Sequence, residues 1–121
     1  MASHRVLVVA PTPDVAERIV GCFAGHDTVV RTTFAAAKSE LDGHPPDFLI
    51  TEVRLGAFNG LHLAIRANGR GLHTRTILIG APDRMLQTEA SEQHAHYLTT
   101  PVDGTRLAAA VRELSSPTAA A

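Results

Sequence analysis

Short apolar, β-branched runs alternate along the chain with stretches in which apolar residues recur every three or four positions. Five such pairs can be counted. The strand runs are Arg5 to Val9, Thr28 to Thr32, Phe48 to Val53, Thr76 to Ile79 and His96 to Thr99. The first, third and fourth are nearly all apolar, the pattern of strands covered on both faces. Thr12-Pro13-Asp14 reads as an N-cap, a proline at the first helical position and an acid in the first turn. Val15, Ile19, Cys22 and Phe23 then share one face of the first helix. Thr33 caps a second helix with Phe34, Ala37 and Leu41 inward, which Gly43 and Pro45-Pro46 stop. Asn59 caps a third with Leu61, Ala64 and Ile65 inward, ended by Gly69. Asp83 caps a fourth holding Leu86 and Ala90, and Asp103 a fifth holding Leu107, Ala110, Val111 and Leu114.

Alternating βα units of this length require parallel strands joined by right-handed crossovers, hence a three-layer α/β sandwich around a five-stranded sheet. One domain is expected over residues 1–114, followed by a small, polar, flexible tail at 115–121. Met1 and this short tail read as a stand-alone chain. In such folds a site lies at the carboxyl ends of the strands. That directs attention to Ala10–Asp14, Thr51–Gly60, Gly80–Asp83 and Thr99–Asp103.

Composition narrows the functional classes. The 121 residues carry 12 acids against 11 bases, a formal charge of −1, so there is no basic footprint for nucleic acid and no polybasic patch for anionic lipid. The apolar run Val6 to Ala10 is too short for a signal peptide core or a membrane span, and the reading is a soluble cytoplasmic domain. Cys22, alone, cannot form an internal disulfide, and it falls on the inward face of the first helix rather than in a nucleophile's setting. The first strand-to-helix turn, Ala10-Pro-Thr-Pro-Asp14, lacks glycine and has two prolines without N–H donors, a poor phosphate cradle. No GxGxxG or Walker A pattern occurs. His94-x-His96 beside Glu92 is the one pattern resembling a metal site, since alternation puts both imidazoles on one face. No further ligand of suitable spacing accompanies it, so a solvated surface is the preferred reading.

Three segments resemble the receiver domain of response regulators, the phosphorylated switch of two-component signalling, and the resemblance runs over about residues 4–114. They are Arg5-Val-Leu-Val-Val9 with Pro13-Asp14, Phe48-Leu-Ile-Thr-Glu-Val-Arg-Leu-Gly-Ala-Phe-Asn-Gly60, and Tyr97-Leu-Thr-Thr-Pro101. The resemblance implies a flavodoxin-like (βα)5 fold. It also implies an acidic pair after the first strand that helps bind Mg²⁺, a phosphoacceptor aspartate ending the third, a Thr/Ser after the fourth and a lysine before the proline. Here those positions hold Ala10 and Pro11, Glu52, Gly80 and Thr100. Only the aromatic of the fifth strand, Tyr97, still matches.

The substitutions bear on the chemistry. Magnesium takes six oxygens in near-ideal octahedral geometry, and Glu52 alone leaves the pocket short of charge, so no cofactor is expected. Phosphoryl transfer depends on positioning and on neutralising the equatorial oxygens, for which the metal, hydroxyl and lysine would serve. The only lysine, Lys38, lies on the second predicted helix, away from the pocket. Glu52 carries its carboxylate one methylene too far out, about 1.5 Å, where about 1 Å can cost a hundredfold. Strand alternation instead suggests that Glu52 pairs with Arg54. Without a hydroxyl at Gly80, the family's coupling of that hydroxyl to rotation of the strand-five aromatic has no first element.

The expectation is therefore a degenerate receiver, not an enzyme, serving as a phosphorylation-independent interaction or regulatory module. Its partners would be signalling proteins: a kinase, a regulator or an output protein. The implied contact face is the fourth helix, fifth strand and fifth helix, with Arg84, Glu89, His96, Tyr97, Arg106 and Arg112 as contacts. A homodimer through the same face is expected, helped by the small Ala108 and Ala109. Two alternatives stand beside it: a phosphorelay receiver using Glu52 or Thr51 as acceptor, and a small-ligand sensor using the vacated pocket.

Overall fold

A computed structural model describes residues 4–71, 73–101 and 103–115. In chain order the elements are β1 (Arg5–Val9), α1 (Pro13–Gly21), β2 (Asp27–Arg31), α2 (Phe34–Gly43) and β3 (Phe48–Glu52). A two-residue hairpin follows, β4 (Arg54–Leu55) and β5 (Phe58–Asn59), then α3 (Leu61–Gly69), β6 (Arg75–Gly80), α4 (Arg84–Glu92), β7 (His96–Thr99) and α5 (Gly104–Ser115). The five long strands form one parallel sheet in the order β2-β1-β3-β6-β7. This is the expected flavodoxin-like sandwich. The order reverses between β1 and β3, which puts the topological switch point there.

Strand alternation divides the core between the two faces of the sheet. Val6, Val8, Phe48, Ile50, Ile77, Ile79 and Leu98 meet Ile19 of α1, Phe23 in the turn just beyond it, and Leu107 and Ala110 of α5. On the other face Leu7, Val9 and Leu49 meet Ala37 and Leu41 of α2 and Leu63 and Ala67 of α3. Val53 and Leu78 meet Leu61, Ala64 and Ala90. Burying each large aliphatic side chain contributes about 1.5–3 kcal/mol.

Three predicted caps take their expected form. Thr33 Oγ1 accepts from Ala36 N–H at 3.1 Å, Asp83 from Leu86 N–H at 3.0 Å and Asp103 from Thr105 N–H at 2.7 Å. Four details differ from the sequence reading. β2 is shifted one residue earlier, and β3 ends at Glu52 because the hairpin begins directly after Val53. Gly60 is the cap residue of α3, while Asn59 accepts the Leu61 N–H at 2.8 Å from the hairpin. Ile65 is 42% exposed, whereas Leu63 is fully buried: α3 covers two adjoining clusters and so turns a broader face inward than three positions define. The side chain of Leu114 and the tail at 116–121 lie outside the described residues.

Candidate functional site

The switch point is bridged by a single side chain. Glu52, half-buried at the end of β3, accepts from Thr12 N–H on Oε2 and from Thr12 Oγ1 on Oε1, both at 3.1 Å. Thr12 is the N-cap residue of α1, but its hydroxyl makes no capping bond to that helix. The carboxylate therefore satisfies a backbone donor at the positive end of α1 and ties the β1–α1 turn to β3. Thr51, on the opposite side of the strand, is fully buried and donates to the Glu52 carbonyl at 2.9 Å.

The anticipated Glu52–Arg54 pair is not formed. Alternation over two residues holds only while a strand continues, and Arg54 already belongs to the hairpin, where it pairs in register with Asn59. Arg54 is exposed and makes no ion pair among the described residues. Gly56, at φ 64°, turns the hairpin, and Gly60 N–H closes its base on the Val53 carbonyl at 2.7 Å. A Cβ at Gly60 would collide with the Glu52 carbonyl and come within 2.9 Å of Thr51 Oγ1, so this loop can seat against β3 only with glycine there. A Gly-X pair between Leu55 and Phe58 was the available signal for this hairpin.

Beside Glu52 a cleft of about 430 Å³ opens at the ends of β3, β6 and β7, lined by Glu52, Arg54, Gly80, Asp83, Tyr97 and Thr100 among others. Of the six positions singled out in the sequence, the cleft thus gathers four. Ala10 is buried in the core, and Pro11 borders a separate groove with Phe34 and Phe58. Those two positions offer no side-chain oxygen, and both oxygens of Glu52 are engaged by Thr12. Such a donor set does not fit Mg²⁺, which requires several hard oxygens in octahedral array. The Thr100–Pro101 peptide is cis.

Tyr97 turns inward from β7. Its hydroxyl donates to the Ala81 carbonyl at 2.6 Å, and its ring packs against Val53, Leu78 and their neighbours under α4. Burial pushes the phenol above its ordinary range, and the nearby charge of Asp83 pushes the same way. The ring is admitted by Gly80. A Cβ there would stand 2.7 Å from the Tyr97 hydroxyl oxygen and 2.8 Å from Val53 Cγ2.

The six expected contact residues do not form one uniform patch. Arg84 and Glu89 are exposed on α4, and Arg106 and Arg112 on α5. His96 and Tyr97 are half-buried neighbours on β7 that alternate to opposite faces of the sheet. Arg106 is drawn onto β7, its guanidinium 3.4 Å from both the carbonyl and the hydroxyl of Thr99. Sequence reasoning missed Met85, which is 72% exposed on α4, and Phe58, which is 53% exposed and stacked on Phe34 at 4.7 Å. His94 sits in the turn after α4 at φ 59°, off the strand that holds His96, so alternation does not align the two imidazoles.

No protein-family model and no curated protein matches the sequence. Solved structures do match the fold. The signal receiver domain assigned to a LuxO repressor protein of Vibrio parahaemolyticus superimposes with a TM-score of 0.84 at 19% identity, over 93% of this chain and 90% of that one. The receiver domain assigned to the response regulator NarL of Mycobacterium tuberculosis gives 0.80 at 25% identity, over 93% and 96%. The chemotaxis protein CheY4 of Vibrio cholerae gives 0.81 at 14% identity, over 93% and 99%. The architecture is that of response regulator receiver domains. Among the described residues no helix is long and apolar enough to cross a membrane.

Proposed function

We propose that this chain is a receiver-type signalling domain that acts as a protein-interaction module without being phosphorylated. The observation that carries this reading is the engagement of both Glu52 oxygens by Thr12, which holds the carboxylate against α1 instead of leaving it free to attack a phosphodonor. Ala10, Pro11 and Gly80 add none of the carboxylate or hydroxyl groups that would neutralise a phosphoryl group in transfer, and Thr100 brings a neutral hydroxyl in place of an ammonium. The domain is accordingly not an enzyme. Its working surface is the α4–β7–α5 face, where the exposed apolar side chain of Met85 shares α4 with exposed Arg84 and Glu89, and Arg112 is exposed on α5. An exposed apolar side chain among charged ones suits a protein partner. A kinase, a regulator, an output protein or a second copy of this chain would meet that description.

The test is incubation with a small-molecule phosphodonor and Mg²⁺, followed by intact mass. An unchanged mass is expected. A labile phosphoryl adduct mapping to Thr51 or Glu52 would overturn the reading.

A further inference from the structure

We infer that Gly80 fixes Tyr97 in a single inward position, so that the α4–β7 face has one arrangement and carries no internal switch. The inference deepens the proposed function and rests on it for the use of that face; the seating of the ring rests on geometry alone. Two observations fix the seat. The Tyr97 hydroxyl reaches the Ala81 carbonyl at 2.6 Å, one residue past Gly80, by crossing the space a side chain at position 80 would occupy. Val53 closes the other side, since a Cβ at 80 would come within 2.8 Å of Val53 Cγ2 and 3.1 Å of Val53 Cβ.

Those neighbours are rigid. Val53 is 6% exposed, its N–H bonds the Ile79 carbonyl at 2.8 Å, and its β-branched side chain has little rotamer freedom. A residue at 80 therefore displaces the tyrosine rather than the valine. The consequence reaches the surface through α4, because Leu86 and Ala95 pack in the same cluster as the ring and Asp83 caps the helix from the adjoining loop. Gly80 is thus a positioning residue for the interaction face.

The chain holds one tyrosine and no tryptophan, so intrinsic fluorescence reports Tyr97 alone. The experiment is acrylamide quenching of the full chain and of Gly80→Ala and Gly80→Thr, with folding checked by far-ultraviolet circular dichroism and α4 followed by amide NMR. The parent should quench weakly. In the folded variants quenching should rise toward that of the urea-unfolded chain, with amide shifts spreading over Met85 to Glu89. If Gly80→Thr does not fold, Gly80→Ala decides the matter. A folded Gly80→Ala with quenching and α4 amides unchanged would overturn the inference. Phosphorylation of the parent would defeat the proposed function while leaving this result standing, so the two failures are distinguishable.

Discussion

Thr12 and Glu52, 40 residues apart in sequence, are joined by two hydrogen bonds of 3.1 Å that span the switch point of the sheet. The threonine's backbone and side chain act as one clamp on one carboxylate. α1 gives up the capping hydroxyl it would otherwise use, and the β1–α1 turn gains an anchor on β3.

Replacing Thr12 by Val keeps the shape and removes one of the two donors. The expected cost is about 0.5–1.5 kcal/mol, the net worth of one hydrogen bond. Urea unfolding followed by circular dichroism reads it directly. Glu52→Asp should cost at least as much, because the shortened side chain cannot reach Thr12 without moving β3. A Thr12→Val variant as stable as the parent would mean that the hydroxyl half of the clamp contributes nothing.

Tyr97 should ionise above the ordinary tyrosine value of about 10, because burial and the charge of Asp83 both oppose the phenolate. Absorbance near 295 nm titrates this residue alone, there being no second tyrosine. A folded-state value raised above the unfolded one leaves the contribution complete below about pH 10 and removes it as pH climbs through the folded value. Tyr97→Phe should flatten that alkaline loss.

The alternating pattern made the five long strands and five helices legible, because β1, β3 and β6 are nearly all apolar and the helices between the strands open on recognisable caps. The hairpin β4–β5 was not, since two-residue strands have no period to detect. Arg54 was misplaced for the same reason: its partner was inferred from a strand that ends two residues earlier. Gly80 was recognised as lacking a hydroxyl, yet its role as the seat of Tyr97 depends on a ring 17 residues away in sequence, which no local pattern contains. The position of Glu52 was readable, while its engagement by Thr12 exists only once β1 and β3 lie side by side.

Asp42 ties α2 to α3, meeting Arg66 at 2.7 and 2.6 Å and Arg70 at 2.7 Å. The Arg66 hydrogen bonds hold its carboxyl below the usual value, with the charges of Arg66 and Arg70 adding to them. A lowered folded value means that the contribution is complete above about pH 3.9, the unfolded value, and is lost as pH falls through the folded one. Asp42→Asn should therefore unfold more readily than the parent at neutral pH, and the two should converge in acid. Denaturant midpoints at a series of pH values measure this.

His94 is the described non-glycine residue with a left-handed backbone, at φ 59°. It closes α4 in a Schellman arrangement, with His94 N–H on the Ser91 carbonyl at 3.0 Å and Ala95 N–H on the Ala90 carbonyl at 2.8 Å. Glycine suits that position, so His94→Gly should stabilise the chain by about 0.5–1 kcal/mol, the relieved strain outweighing the added freedom of the unfolded chain. A lower urea midpoint for the variant would contradict this.

On the proposed function the α4–β7 face is set without phosphorylation. NMR of the Tyr97 ring and the α4 amides during titration with beryllium fluoride, a phosphoryl mimic, in the presence of Mg²⁺ reads this at the face itself. The ring and the amides of Met85 to Glu89 should keep their positions throughout. A saturable shift of the Tyr97 ring together with those amides would contradict it.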